Sequence, residues 1–461
     1  MRRFAWLGLL AYGSAFPQNW VNAGMPGYNP TSIIKLAVDS LEDRLLVVGS
    51  TTVVGQFGEQ VIMRYRAGAW DTLGTFHGGI KDAERYGDTL LVAGDSNLDY
   101  VNEVPVQGIA AFYSGAWHSY GTFDYGIRNL KLINGELYAI GGFRYVDGQL
   151  CNGISKRVGG QWQCFDPPPF TQSGGGPDLY DAEWFQGQLY ACGNFSFNAN
   201  GENDIIAFDG TAWYAPGGGL SDGLGNGRCL TVYQDELYLG GGFTVQNGNA
   251  GNCIMKWNGS QWSGLNGDLQ GVFNDNLTRA TALSFLHHDG KLLVGGEFSY
   301  VAGSLANRFA LWDGAKWCGY SDTFGPTSFC QSLAMYRDTL FAACGFEVNG
   351  QPINQIIKWV GDEGFNGEWC NSPIGIEERA NANGLSVAPM GGGLYRLTLA
   401  GGSQPLLRLL DAAGREVLAL PKPATSGTAV IIDMQPFTEG LYVVQVVEQG
   451  VSRSFRLVHS R

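Results

Sequence analysis

"INGELYAIGGF", residues 133–143, opens on the turn dipeptide Asn134-Gly135, continues as an apolar strand and stops at Gly141-Gly142. Asn-Gly beside an alternating apolar run is a strong hairpin signal. On its own, the glycine pair could make room for a ligand or belong to a structural unit. Comparing the chain with itself decides between these. The stretch returns as "LEDRLLVVGS", "YGDTLLVAGD", "FQGQLYACGN", "YQDELYLGGG", "HDGKLLVGGE" and "YRDTLFAACG". The first aligned leucines, Leu45, Leu90, Leu137, Leu189, Leu237, Leu292 and Leu340, lie 45 to 55 residues apart. Each is followed 24 to 29 residues later by a tryptophan in a Gly-rich turn: Trp70, Trp117, Trp162, Trp213, Trp262, Trp317 and Trp369. Two independent landmarks keep one phase, so the stretch is one copy of a repeat.

Five residues before the tryptophan, most copies carry a second aromatic: Tyr65, Phe112, Phe208, Trp257 or Trp312. The third copy has Arg157 there, and in the last the spacing stretches to ten, from Trp359. Each unit reads as four strands: A before the Asp/Asn-Gly turn, B on "ELYAIGG", C on segments such as "IIAFDG", and D from the tryptophan. One such sheet cannot bury both faces, whereas a ring of sheets packed face to face can, and the ring also removes exposed edges. The chain is therefore expected to be all-β, a seven-bladed β-propeller of four-stranded antiparallel blades. Strand-Gly-Gly, aromatic strand, turn and Trp, in that order, resemble kelch-type repeats over roughly residues 31–372. Several copies depart from that pattern with Gly-Asn, Ala-Gly or Cys-Gly in place of paired glycines. The phrase "NWVNAGMPGY", from Asn19, copies strand D of "AWDTLGTFHG" without an A, B or C strand before it. A strand near Trp20 is thus expected to close the ring by joining the last blade, in competition with "EWCNSP".

Composition points the same way. The 461 residues include 69 glycines, 13% are aromatic and only 15% charged, and no long helical periodicity is evident. A net charge of −13 without a Lys/Arg cluster makes nucleic acid a poor partner. Residues 1–15, with Arg2-Arg3, an apolar run and small residues up to Ala15, have the layout of a secretory signal peptide. No other stretch is long and apolar enough for a membrane helix. Export permits disulfides, and of the nine cysteines Cys318 and Cys330, which bracket "CGYSDTFGPTSFC", are the expected pair. No Cys/His set has zinc spacing.

The propeller is expected to span residues 16–372, followed by a polar linker at 373–384 and a small Ig-like β-sandwich at 385–461. Within that tail, "LLDAAGREVL", "IIDMQPFTEGLYVVQVVEQG" and the closing "FRLVHSR" resemble the C-terminal sorting domain of proteins exported by the type IX secretion system. Asp411, Gly414, Arg415, Asp433, Gly440 and Tyr442 fill the motif positions. "APM" (Ala388, Pro389, Met390) departs from the usual Pro-Asn-Pro. The resemblance implies passage through the periplasm to the outer surface of a Gram-negative bacterium, with the type IX machinery as a partner and the tail usually removed.

No hydrolase elbow, zincin helix or P-loop is present, and no cofactor is expected. Adjacent His287 and His288 fall on opposite faces of a strand, a poor geometry for chelating one ion. Asp95, Asn97 and Asp99, in "DSNLDYVNE", have the alternate spacing of a calcium loop but lack its central glycine and terminal glutamate, so a solvated loop is the simpler reading. Tyr145, Phe197 and Tyr300 could form a sugar-stacking ring, although their period-2 relation to Phe143, Phe195 and Phe298 also suits packing. Two functions fit. One is a secreted propeller that binds glycans or proteins at the cell surface; the other is a secreted polysaccharide hydrolase or lyase with acid and base on separate blade loops. A channel mouth lined by Asp, Glu, Arg or Tyr favours the enzyme, and a shallow face of Gly, Asn and aromatics favours binding.

Overall fold

The computed structural model describes residues 20–360 and 386–459 apart from short stretches within them, of which 54–58, 171–176, 221–225, 320–328, 399–405 and 420–428 are the longest. The segment read as a signal peptide, the linker, Trp369 and Cys370 lie outside the described residues.

The opening stretch is a hairpin. Asn134 and Gly135 both have positive φ, 53° and 80°, the turn geometry whose twist matches the flanking strands. Ile127–Ile133 and Glu136–Gly141 pair through it, Ile154–Val158 joins the second strand, and Gln161–Cys164 forms the outer edge. The same antiparallel order recurs along the chain, the first strand of each sheet being Tyr28–Asp39, Ile80–Tyr86, Ile127–Ile133, Asp178–Phe185, Gly227–Tyr233, Thr281–His288 or Cys330–Tyr336. Each first strand touches the next, and Cys330–Tyr336 touches Tyr28–Asp39, so the circuit closes. Four-stranded antiparallel sheets around a closed circuit of inner strands are a β-propeller.

The apolar run in strand B follows from this packing. Leu137 and Ala139 face the core shared with the preceding sheet, while Tyr138 and Ile140 face the core shared with the following one. Both faces are dry, so the polar alternation of a half-exposed strand is lost. The tryptophan landmark also stitches neighbours together. Its indole Nε1 donates to a carbonyl just after the outer strand of the previous sheet: Trp162 to Tyr120 (2.8 Å), Trp213 to Asp166 (2.6 Å), Trp262 to Pro216 (2.9 Å) and Trp317 to Leu265 (3.0 Å). Trp70 makes the equivalent bond to Ala23 (3.4 Å), which follows the short strand Trp20–Asn22. That strand pairs with Ile356–Trp359, Trp20 opposite Trp359, and supplies the outer edge of the last sheet from the N-terminal end of the chain. Where the third copy has Arg157 in place of an aromatic, its guanidinium lies over Tyr120 (4.2 Å) and Trp162 (5.4 Å), a cation–π contact that fills the slot.

Two expectations change. Cys330 bonds Cys344, its register partner across one strand pair with Cα atoms 4.2 Å apart, and not Cys318. Cys318 lies in the preceding sheet and is also in a disulfide. Cys151 and Cys164 form a further bridge, and Cys192, Cys229 and Cys253 are buried thiols. Secondly, "DSNLDYVNE", read as a solvated loop, contributes Tyr100–Val101 to a small hairpin with Val104–Pro105, and Tyr145–Val146 pairs likewise with Gln149–Leu150.

In the tail, Ser386–Gly391, Leu394–Thr398 and Ala429–Asp433 form one sheet, and Leu406–Asp411, Glu416–Ala419, Gly440–Glu448 and Val451–His459 a second. Leu397, Val430 and Ile432 from the first pack with Leu407, Leu409, Tyr442 and Val444 from the second in one core.

Candidate functional site at the channel mouth

Every inner strand carries a register shift that leaves an equivalent residue unpaired, Ile34, Lys81, Arg128, Tyr180, Arg228, Leu283 or Gln331, and the longer Tyr28–Asp39 has a second shift at Thr31. A β-bulge bends its strand and re-aims the side chain. All seven of these residues except Ile34, Leu283 and Gln331 carry charge or a phenol, and all seven line a cavity of about 410 Å³ where the inner strands begin. The bulge also explains the glycine that ends strand B. A Cβ on Gly141 would overlap the Gly126 carbonyl oxygen, which the bulged strand pushes across, and that carbonyl accepts from the Gly142 N–H (2.9 Å). Cys344 stands at this register position in the last sheet and is bonded to Cys330 there.

One residue beyond the bulge, polar side chains latch sheet to sheet. Asp82 accepts from the Leu130 N–H (2.8 Å), Asp181 from the Leu230 N–H (2.8 Å), and Ser332 Oγ from the Leu36 N–H (3.0 Å). Lys35 reaches Asp82 (3.4 Å), and Lys131 bridges Asp181 (3.0 Å) and Glu183 (3.2 Å). Burial opposes the charge on Lys35, yet Asp82, Asp181 and Glu84 hold its pKa above the usual lysine value. Burial pushes Asp82 up despite Lys35, and pushes Glu84, beside Asp82, to about 7. These bonds hold the bulge residues in fixed places around the opening.

At the mouth itself, Arg128 grips Asp178 through two bonds of 2.9 Å, and Lys81 pairs with Asp95 (2.9 Å). The Asp178 hydrogen bond holds the Arg128 pKa above its ordinary value against the cost of burial. Arg228 donates from Nε to Asn226 (2.9 Å) and lies over the Tyr180 ring, 4.4 Å from its centroid. Burial and the nearby Asp178 raise the Tyr180 pKa, against the lowering by Arg228 and Arg128, so the phenol stays protonated at neutral pH. The mouth carboxylates Asp178 and Asp95 are thus each held by a cation, and Tyr180 keeps its proton.

The loop residues singled out from sequence are dispersed. Asp95 faces Lys81, Asn97 Oδ1 accepts from the Gly79 N–H (3.1 Å), and Asp99 pairs with His77 (2.6 Å). Among the described residues, no three His, Cys, Asp or Glu side chains gather as a metal site. Tyr145 is exposed on its small hairpin, Phe197 is buried in the core between sheets, and Tyr300 sits half-buried in a short strand. His287 Nε2 meets Thr231 Oγ1 (2.7 Å), while His288 approaches Asp289 (3.3 Å). Asp411 and Tyr442 are register partners in the tail, Tyr442 buried and Arg415 exposed; Asp433 Oδ1 accepts from the Gln435 N–H (2.9 Å), Gly440 begins a strand, and Gly414 lies outside the described residues.

Fold and mouth together define a β-propeller protein with a polar central opening. One family model, a β-propeller domain of unknown function (DUF5122), matches residues 288–311, which cover the B and C strands of the sheet begun by Thr281–His288. No curated protein matches the chain. Among the described residues, no helix is long and apolar enough to cross a membrane.

Proposed function

We propose that the chain is a seven-bladed, kelch-like propeller that binds a glycan or protein ligand at its channel mouth, and that the tail is an Ig-like type IX sorting domain delivering it to the outer cell surface. One observation carries the binding reading: a shared bulge places one side chain from every repeat, of six residue types, into one cavity. The frame is constant and the lining varies, which is how a repeat ring acquires a specific surface without altering its core. The sequence pattern of Asp411, Arg415, Asp433 and Tyr442 supports the export reading, with the layout of residues 1–15 as entry signal.

A hydrolase or lyase is the second reading, because Arg128, Asp178 and Tyr180 do converge at the mouth. Their ion pairing and the raised Tyr180 pKa favour binding over turnover. The test is a glycan-array and pull-down screen of the full chain, with polysaccharide cleavage assayed alongside. Retention of a ligand without cleavage is the expected result; turnover of any polymer on the panel would replace binding with catalysis. For export, a chain lacking residues 385–461 is expected to stay in the periplasm, and undiminished surface delivery would remove the sorting role.

A further inference from the structure

We propose that the channel mouth takes an acidic saccharide, one whose carboxylate or sulfate sits on Arg228 while a sugar ring lies against Tyr125. The inference rests on the mouth being the binding face, and adds the chemistry of the ligand.

Charge is the first observation. The protein as a whole has 29 Lys and Arg against 42 Asp and Glu. The cavity lining reverses that balance, with four cations, Lys35, Lys81, Arg128 and Arg228, against one carboxylate, Asp181. Three of the four are matched: Lys35 by Asp82, Lys81 by Asp95 and Arg128 by Asp178. Arg228 has no carboxylate within ion-pair distance among the described residues; its Nε is held by Asn226 and its plane is held by Tyr180. An arginine fixed in orientation by one acceptor and a ring, with its remaining N–H groups free of other partners among the described residues, suits bidentate capture of an oxyanion.

The second observation is apolar and points to a sugar. Tyr125, at 54% exposure, is among the most open large side chains on the protein, and lies in the connection leading into Ile127–Ile133, at the mouth end. Its edge rests where a side chain on Gly142 would be: a Cβ there would meet Tyr125 Cδ1 at 2.9 Å and Asp178 Oδ1 at 3.4 Å. Tyr125 therefore adjoins the Arg128–Asp178 pair, and Asp178 lies two residues from Tyr180, under Arg228. A path of exposed ring, neutralised ion pair, second ring and unmatched cation runs across three consecutive sheets. Saccharides present apolar ring faces flanked by hydroxyls, which such an alternation of aromatic and polar groups matches. An acidic peptide would satisfy Arg228 but has no comparable use for the exposed ring.

The test uses the full chain and four probes: polygalacturonate, chondroitin sulfate, neutral amylose and polyglutamate, measured by titration calorimetry at low and high salt. At least one acidic glycan is expected to bind, weaken with salt, and lose at least tenfold in affinity in Arg228→Gln and about threefold in Tyr125→Ala, with Arg228→Lys intermediate and melting temperatures unchanged. Polygalacturonate carries carboxylates alone and chondroitin sulfate carries both anions, so binding of chondroitin sulfate without polygalacturonate would assign the anion to sulfate. Preference for amylose, lost in Tyr125→Ala, would overturn the anion claim and leave the mouth as the binding face. Equal binding of polyglutamate would overturn the sugar claim. Acidic-glycan binding unmoved by any variant would overturn both this inference and the mouth as the site, and absence of binding by either acidic glycan would overturn the inference. If Arg228→Gln fails to fold, Arg228→Lys and Tyr125→Ala carry the same comparison.

Discussion

Glu84 shows how strongly the ring interior acts on a single side chain. Burial and the neighbouring Asp82 carboxylate raise its pKa from 4.5 to about 7, against the opposing charge of Lys35 and a 3.0 Å hydrogen bond from the Arg85 N–H. Its folded pKa lies above its unfolded one, so the folded state holds the proton more tightly. The stability tied to that proton is complete below pH 4.5 and is lost as pH rises through 7. A shift of this size corresponds to about 3 kcal/mol. Glu84→Gln is expected to be more stable than the parent at pH 8, by up to about 3 kcal/mol, with the advantage shrinking toward pH 4.5. Urea unfolding across that range reads it directly; parallel pH curves for the two proteins would refute the assignment.

Among the elements, strands A and B were legible from sequence, but the bulge in strand A was not. "ELYAIGG" advertises itself because both its faces are buried, so the apolar run recurs in every copy, and its turn takes positive φ at Asn134 and Gly135. The bulge in strand A leaves no such mark: the extra residue is Ile34, Lys81, Arg128, Tyr180, Arg228, Leu283 or Gln331, with no shared chemistry. The glycine ending strand B was its trace, since the bulge drives a carbonyl against that Cα. Gly141→Ala is accordingly expected to cost about 1–3 kcal/mol by overpacking, seen as a lowered urea midpoint, and a neutral substitution would contradict the contact. The mouth residues were missed because loops are the usual place for function, whereas Lys81, Arg128, Tyr180 and Arg228 stand on strands. A column of the repeat that varies between an apolar or small residue before it and a mostly polar one after it was the available signal. The Cys330–Cys344 bond was hidden for a related reason: it needs the register that sets Cys344 where other copies have glycine.

At the scale of the whole molecule, the repeat makes a closed circuit whose sheets bury both faces, and five of the landmark tryptophans bond back to the neighbouring sheet. The N-terminal strand at Trp20 completes the last sheet, so the first and last parts of the ring hold one another. An interior of ion pairs and backbone latches sets the bulge side chains in place, and the cavity lining is richer in cations than the chain as a whole. A ligand seated in this opening, as proposed, would touch several repeats at once. Hydrogen exchange of the full chain with a bound glycan tests it most directly. Protection is expected at the beginnings of the inner strands, around residues 80–82, 125–129, 178–181 and 227–229, from repeats far apart in sequence. Protection confined to the outer strands or to the tail, with these segments exchanging as in the free protein, would contradict it.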